Sequence, residues 1–450
     1  MSKFVQSDRH QPFLLPPDLR DWLPSDDLAH FVIEAVERVP VSHFKVNAKG
    51  TGSAQYHPQM MLGLLIYCYA NGIFSSRKIE RASHRDIGVR YITANCHPDH
   101  DTIATFRREN VSAISESFLQ VLLLAKELKL LHVGRVSVDG TKLKANASKR
   151  RSIRYDRAQQ LRKQLQGEID ELLNRAEQAD DQGLSDDQRL PEELSRRSSL
   201  KEKLDQACRR LERQARDRAE REQADYEAKV KARDARSSKR KGKKIKPPSQ
   251  APKSDEQINL TDPDAKLMRK NKASAYHQSY NAQAVVDADG SQLVLGSRVS
   301  QCASDRNEFV ADIKAIPDEV GEVKQALADN GYANEAQVAE LERTQIDVLV
   351  AVGSGDHRRR YDFRPEPDEP VQAKAPKANW LQQMKAKLDV ESNRKSYQLR
   401  QQTVEPVFGI IKQVLGFRQF SLRGHDKVSG EWQLVMLAYN CKRLHKLMQA

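Results

Sequence analysis

Two short apolar runs of this chain stop at an aspartate that is followed at once by turn residues. The first is VSVDGTK, in which Asp139 precedes Gly140, and the second is ALADNGY, in which Asp329 precedes Asn330-Gly331. Short apolar runs bounded by glycine or asparagine are typical of buried β-strands. In an open α/β sheet the strand ends carry ligand-binding groups, and glycine lets the backbone approach a ligand closely. We therefore predict two strands whose ends place Asp139 and Asp329 in one site.

The residues around and after these runs have the pattern of an α/β fold. YNAQAVVDADGSQLVLGSRVS is two alternating runs joined by Asp289-Gly290, which is a hairpin signal. A helix, the apolar run IDVLVAV and a final amphipathic helix from Trp432 follow. Strands that alternate with helices predict a mixed sheet flanked by helices. We place this core in residues 131–150, which carry Asp139, and in residues 274–450.

Residues 1–130 are predicted to form an all-α domain. Apolar residues recur at helical spacing, and one long helix is expected from Asp101 through Leu124. Two interpretations fit the basic side chains of this region: a helix-turn-helix that reads DNA, or the solvated face of a helical bundle. We favour DNA contact. The basic side chains are Arg77, Lys78, Arg81, Arg85, Arg90, Arg107 and Arg108.

A long charged insertion separates the two parts of the predicted core. Residues 151–236 carry two apolar stripes with spacings of three and four, one from Leu161 to Leu173 and one from Leu200 to Ala219. This pattern predicts two long antiparallel helices, a coiled-coil-like hairpin. Residues 237–273 begin with six basic residues among the eight from 239 to 246, followed by prolines. We interpret this segment as a basic, disordered linker.

The charge balance and the cysteines limit the class of protein. Lysine and arginine outnumber aspartate and glutamate by 75 to 62, a net charge of +13, which favours a polyanionic partner. The 5 cysteines are scattered without any CxxC spacing, which favours a reducing compartment over a zinc ribbon or a disulfide framework. The longest apolar runs are too short to span a bilayer. We expect a cytoplasmic protein that has no membrane partner.

Two carboxylates at neighbouring strand ends repel each other unless a cation lies between them. Hard divalent metals prefer oxygen ligands, and two such ions can cut and join phosphodiesters. Glu405 in TVEPVFGIIK would supply a third carboxylate. The competing interpretation is that an aspartate before glycine is only a turn residue. The candidate catalytic and metal-binding residues are thus Asp139, Asp329 and Glu405.

The order of four motifs resembles that of the DDE transposases of bacterial insertion sequences. The motifs are VSVDGTKLKANASK, YNAQAVVDADG, ALADNGYANEAQV and TVEPVFGIIKQVLGFRQFSLRG. The resemblance is strongest to the branch with a helical N-terminal domain and a long helical insert after the first catalytic strand. It implies a ribonuclease-H-like core in which Asp139, Asp329 and Glu405 are the catalytic triad.

The same resemblance implies cationic and aromatic groups around the glutamate. Tyr397, Arg400 and Lys412 match the tyrosine, arginine and lysine of the family motif. Arg400 departs from the pattern, because four residues separate it from Glu405 where the family has three. The implied DNA or phosphate contacts are Lys412, Arg400, Tyr397, Lys142, Lys144, His277 and Tyr280.

The predicted function is DNA transposition with two Mg²⁺ ions, for which Mn²⁺ would substitute. The partners would be double-stranded DNA, both the terminal inverted repeats of the element and the target, and a second copy of the chain in a synaptic homodimer. The protein would be associated with the bacterial nucleoid. The alternatives are a non-catalytic or domesticated DNA-binding protein, and a scaffold built on the helical hairpin.

Overall fold

The computed structural model of the chain describes residues 18–46, 54–181, 189–234, 245–270, 273–352 and 378–449. Two compact units divide the chain. The first contains Met1–Leu143, Asn281–Leu422 and Asp426–Ala450, and the second contains Lys144–Tyr280 and Arg423–His425. The boundary predicted at residue 130 is therefore not a break in packing, because the N-terminal helices cluster with the core.

The described part of the N-terminal region is helical, as expected. Asp27 begins the first helix by accepting a hydrogen bond from the Ala29 N–H at 2.8 Å. The single helix expected from residue 101 to 124 is two helices, since Asn110 leaves helical geometry with a ψ of 35°. Within the described residues, no helix has both the length and the apolar character needed to cross a membrane. The helices are α1 (Leu28–Glu37), α2 (Pro58–Ala70), α3 (Ser76–Arg85), α4 (Ile87–Ile92), α5 (His100–Glu109) and α6 (Val111–Glu127).

The rest of the described chain contains both helices and strands. The helices are α7 (Tyr155–Asp181), α8 (Arg189–Asp234), α9 (Phe309–Ile313), α10 (Glu335–Arg343), α11 (Asn379–Asp389), α12 (Glu391–Gly409) and α13 (His425–Met448). The strands are β1 (Arg135–Lys144), β2 (Ser152–Arg154), β3 (Gln257–Asn259), β4 (Lys266–Met268), β5 (His277–Asp287), β6 (Val294–Ser300), β7 (Gln325–Ala328) and β8 (Asp347–Val350).

The sheet of the first unit has the strand order β6-β5-β1-β7-β8. β1, β7 and β8 run parallel, whereas β5 and β6 form the antiparallel hairpin predicted at Asp289-Gly290. α13 contacts the sheet, where its buried Trp432 donates a hydrogen bond to the Gln283 carbonyl at 2.9 Å. This mixed sheet, flanked by helices, is a ribonuclease-H-like α/β fold, which confirms the predicted fold class.

α13 also joins the N-terminal helices to the core. Lys442 donates a hydrogen bond to the Ala70 carbonyl at the end of α2, at 2.8 Å. The ring of Phe74 lies edge-on to that of Phe417, with 5.0 Å between their centroids. These contacts connect the N-terminal helices to the core, in agreement with their place in the same compact unit.

β1 does not end at Asp139, as the sequence pattern had predicted, but continues to Lys144. The parallel pairing between β1 and β7 ends just before Asp139, since the last matched pair of the two strands is Val138 and Ala328. Asp139 and Asp329 are the next residues on these two neighbouring strands. The register therefore places both aspartates at the same edge of the parallel part of the sheet.

The second unit contains the helical hairpin. α7 and α8 pack together through buried Leu165, Leu204 and Cys208, as their periodicity predicted, although Leu173 of the same stripe is exposed. The disordered linker predicted for 237–273 is wrong where β3 and β4 form. Ile258 of β3 is buried against Leu211 of α8, so burial of one apolar side chain orders a polar segment. Residues 237–244 and 271–272 of that prediction lie outside the described residues.

Candidate active site

Asp139 and Asp329 occupy the edge of the sheet to which the register brings them. Each carboxylate accepts a backbone hydrogen bond at 2.8 Å, Asp139 from the N–H of Gly140 and Asp329 from the N–H of Gly331. Burial, together with the negative charge of Asp329, raises the pKa of Asp139 to about 7. The two aspartates therefore form a site in which negative charge is costly without a cation.

α12 brings the predicted glutamate and arginine to the same edge. The Thr403 hydroxyl donates to Ser137 of β1 at 2.8 Å, and the Tyr397 hydroxyl donates to the Ala328 carbonyl of β7 at 3.2 Å. These bonds connect the helix to the two strands that carry the aspartates. Tyr397 thus contacts the strand end next to Asp329.

Arg400 lies between the carboxylates. Its Nη2 is 2.9 Å from Oε1 of Glu405, and its Nη1 is 3.7 Å from Oδ2 of Asp139. Burial opposes a charge on Arg400, but the neighbouring Tyr397 and carboxylates keep its pKa above the usual value. Its Nε and Nη1 atoms are buried without a hydrogen-bond partner. The shifted spacing of Arg400 therefore does not remove it from the site, where it is a cation shared by Asp139 and Glu405.

Lys412 reaches the site from the turn after α12. Residues Ile410–Val414 form a single π-helical turn, a geometry that is frequent at functional sites. The Lys412 ammonium donates to the hydroxyl of Thr141, two residues beyond Asp139 on β1, and lies 5.8 Å from the ring centroid of Phe408. A positive charge is thus held on β1, two residues beyond Asp139.

Asp305, which the sequence analysis missed, is a fourth carboxylate at this edge. Its Oδ1 accepts hydrogen bonds from the side-chain amides of Asn281 at 2.6 Å and Gln283 at 2.8 Å. Its charge contributes to the raised pKa of Asp139, after the larger effects of burial and Asp329. The segment SDRNEF has no strand or turn pattern that marks the aspartate. The available signal was the polar pair at positions 281 and 283 inside an otherwise buried strand.

The remaining predicted contacts do not join this cluster as a group. Lys142 is half-buried on β1 in the first unit, whereas Lys144, His277 and Tyr280 belong to the second unit, where Lys144 and His277 are exposed. Tyr280 is fully buried, and its hydroxyl lies 2.9 Å from both carboxylate oxygens of Asp262. The prediction that Tyr280 contacts DNA is therefore wrong, because its hydroxyl supports the interior of the second unit.

One basic side chain of the N-terminal helices is also internal. Arg107 is buried and donates to the Tyr69 hydroxyl at 2.6 Å and to the Phe74 carbonyl at 3.0 Å. It cannot contact DNA. On α3, by contrast, Arg77, Lys78 and Arg81 are exposed while Ile79 is buried, so this helix presents a basic outer face.

Two family models match the chain. The Transposase DDE domain matches residues 234–441, and the Transposase domain (DUF772) matches residues 17–109. The chain belongs to the DDE transposases. No curated protein and no solved structure matches it. Membership of this family implies DNA binding and a nuclease or transferase chemistry that uses divalent metal ions.

The DDE match begins after the helical insertion. It therefore includes Asp329 and Glu405 but not Asp139, which lies 95 residues before its start. The case for Asp139 in this transposase is structural: β1 pairs in parallel with β7, and the register places Asp139 beside Asp329.

The chemistry of the donor set fits a divalent ion. Asp139 and Asp329 offer hard oxygen ligands, and the raised pKa of Asp139 reflects buried negative charge that a cation would stabilise. Within the part of the chain that the structure describes, no three acidic, histidine or cysteine side chains are gathered closely enough to hold one ion. Arg400 instead contacts Asp139 and Glu405, so the carboxylates share a guanidinium in this arrangement.

Proposed function

We propose that this transposase cuts DNA at the terminal inverted repeats of its insertion sequence and joins the freed 3′ ends to target DNA. The observation that carries the proposal is the register of β1 and β7, which sets Asp139 beside Asp329 at a strand edge that α12 reaches with Glu405. A DNA-binding protein without catalysis has no need for this costly grouping of carboxylates.

In this mechanism Asp139, Asp329 and Glu405 would hold the metal. Bound divalent ions, Mg²⁺ or Mn²⁺, would activate the attacking water or 3′-hydroxyl and stabilise the leaving oxygen. Lys412 is positioned beside β1 to neutralise a phosphate next to the bond that is cut. Arg400, whose planar donors suit a phosphate, would pair with the DNA backbone when Asp139 and Glu405 hold the metal.

The basic outer face of α3 is the proposed DNA-binding surface of the N-terminal region. Its exposed cations, which include Arg77, Lys78 and Arg81, would neutralise backbone phosphates. Lys142, Lys144 and His277 would add further phosphate contacts. Pairing of two element ends requires at least two copies of the chain, so we propose a synaptic homodimer. A protein of this kind would be found in the cytoplasm, on the nucleoid.

The test is a cleavage assay on a plasmid that carries the gene with its native flanks. The wild type should make Mg²⁺-dependent cuts that map to inverted repeats, while Asp139→Asn and Glu405→Gln should bind the plasmid without cutting it. Glu391→Gln is the matched control for Glu405→Gln, because Glu391 is an exposed glutamate on the same helix. Tight binding by the wild type without cuts under any divalent metal would instead support a non-catalytic DNA-binding protein.

A further inference from the structure

The net positive charge of the chain is concentrated in the second unit. Residues 144–280 contain 35 lysines and arginines and 24 aspartates and glutamates, a net charge of +11 out of the +13 of the whole chain. The remaining residues are nearly neutral, with 40 basic and 38 acidic side chains. A polyanion that is attracted by the overall charge of the chain is therefore attracted mainly to this unit.

Some arginines of the helical hairpin have a structural partner. Arg162 of α7 pairs with Asp205 of α8 at 3.3 Å, which connects the two helices. Arg218 of α8 pairs with Glu256 at 3.1 Å. These arginines neutralise acidic side chains of their own unit, so they do not account for its excess charge.

Three arginines on the outer side of α8 have no such partner. Arg209, Arg213 and Arg216 are exposed, and among the described residues none of them forms an ion pair or a side-chain hydrogen bond. Their spacing of four and three residues places them on one side of the helix, opposite the buried Leu211 and Ala215. Like charges four residues apart disfavour a helix. Helix stability therefore does not explain this row, which we call the arginine face.

A groove of about 510 Å³ lies along the same helix. Five of its six lining side chains are arginines or glutamines, which donate hydrogen bonds, and one is acidic. This lining fits the oxygen atoms of an anion rather than an apolar ligand. The lining residues are Gln206, Arg209, Arg210, Arg213, Gln214 and Asp217.

The arginine face has the dimensions of an extended anion. From Arg209 to Arg216 the helix rises by roughly 10 Å. Over that length duplex DNA carries about six phosphate charges. A free phosphate or a single nucleotide would need guanidiniums that converge on one point, whereas these side chains follow one another along the helix.

We propose that the arginine face of α8 binds the phosphate backbone of double-stranded DNA without reading its sequence. The planar donors of arginine are suited to phosphate oxygens. The inference rests on the DNA chemistry of the proposed function and gives the helical hairpin a role in it, as a second DNA-binding surface in addition to α3.

The test measures binding of the full-length chain to a fluorescent duplex of random sequence by fluorescence anisotropy, in EDTA and over a series of salt concentrations. The triple variant Arg209→Gln/Arg213→Gln/Arg216→Gln should bind at least roughly ten-fold more weakly than the wild type at physiological salt. Its slope of log affinity against log salt concentration should be smaller by about 3. Arg209→Lys/Arg213→Lys/Arg216→Lys should keep the wild-type slope, because the release of counterions depends on charge.

The matched control removes three exposed arginines from the first unit, as Arg20→Gln/Arg38→Gln/Arg343→Gln. It changes the net charge of the chain by the same amount and should keep the wild-type slope. Circular dichroism should show that both glutamine triples are folded, because all six side chains are exposed. If the α8 triple does not fold, Arg213→Gln alone should reduce the slope by about 1.

Equal slopes for the α8 variant and its control, or no binding of the duplex by the wild type, would overturn the proposal. A reduced slope for the α8 variant, without DNA cleavage by the wild type under any divalent metal, would support the arginine face and refute the proposed transposition. Mg²⁺-dependent cuts at inverted repeats, with equal slopes for the two variants, would refute the arginine face alone.

Discussion

Replacing Asp139 by asparagine should stabilise the metal-free protein at alkaline pH. Burial, with the charge of Asp329, raises the pKa of Asp139 in the folded protein to about 7, whereas an unperturbed aspartate has a pKa of 3.8. The folded protein therefore holds a proton that the unfolded chain has lost between these two pH values. The wild type loses stability as the pH rises through this window, and the asparagine variant does not. The advantage of the variant is absent below about pH 4 and complete above about pH 7.

The size of the effect follows from the same pKa change. At about 1.4 kcal/mol per pH unit, the penalty reaches about 4 kcal/mol above neutrality. This is an upper limit, because 23% of the Asp139 side chain is still exposed to solvent. A cooperative unit of roughly 300 residues shifts its melting midpoint by about 1.5 °C per kcal/mol, so the expected gain is at most about 6 °C.

The assay is thermal unfolding of both proteins in EDTA at acidic and alkaline pH, followed by circular dichroism. Mass spectrometry should confirm that the new Asn-Gly sequence has not deamidated. Added Mg²⁺ or Mn²⁺ should then stabilise the wild type more than the variant, because the wild type keeps the charged ligand. A variant that melts at or below the wild-type temperature at alkaline pH in EDTA would refute the view that this carboxylate lies in an electrostatically costly site.

Three further predictions concern other parts of the chain. Gly140→Ala should abolish metal-dependent cleavage, because the new methyl group would lie 2.6 Å from Asp305. The control variant Gly167→Ala should cleave normally, because its new methyl group would have no other atom within 4 Å. Tyr280→Phe should leave DNA affinity unchanged in a gel-shift titration but cost about 1–3 kcal/mol in chemical unfolding, since the Asp262 carboxylate loses its buried donor. Arg81→Gln should reduce the slope of log affinity against log salt concentration by about 1 on a duplex of random sequence. The control Arg343→Gln, which changes another exposed arginine, should leave the slope unchanged. Equal slopes for the two variants would show that α3 is not part of the DNA-binding surface.

That Asp139 and Asp329 share one edge of the sheet was predictable, because the signal of each is local. An apolar run that meets an aspartate and a glycine is visible within seven residues of sequence. The helical hairpin was predictable for a similar reason, since residues three and four apart share a helix face whatever surrounds it. Leu165 and Leu204 are buried as this periodicity requires. The order of the motifs then indicated the family.

What the local pattern could not contain was the partner of each side chain. Asp305 lacks a local signal, because its significance comes from Asn281 and Gln283 on a strand more than 20 residues earlier. Tyr280 is a residue type that often forms surface contacts. In the structure it is buried, and its hydroxyl contacts the Asp262 carboxylate.

The sequence by itself determined the helical hairpin, the strand hairpin at Asp289-Gly290 and the two aspartates that follow apolar runs, because backbone preference and side-chain periodicity act over a few residues. Only the tertiary structure decided that Val138 pairs with Ala328, that Arg400 lies between Asp139 and Glu405, and that Asp305 completes the edge. Register and burial are set by contacts between residues distant in the chain, and the charge of a carboxylate becomes costly only when folding removes its water and brings its neighbours close.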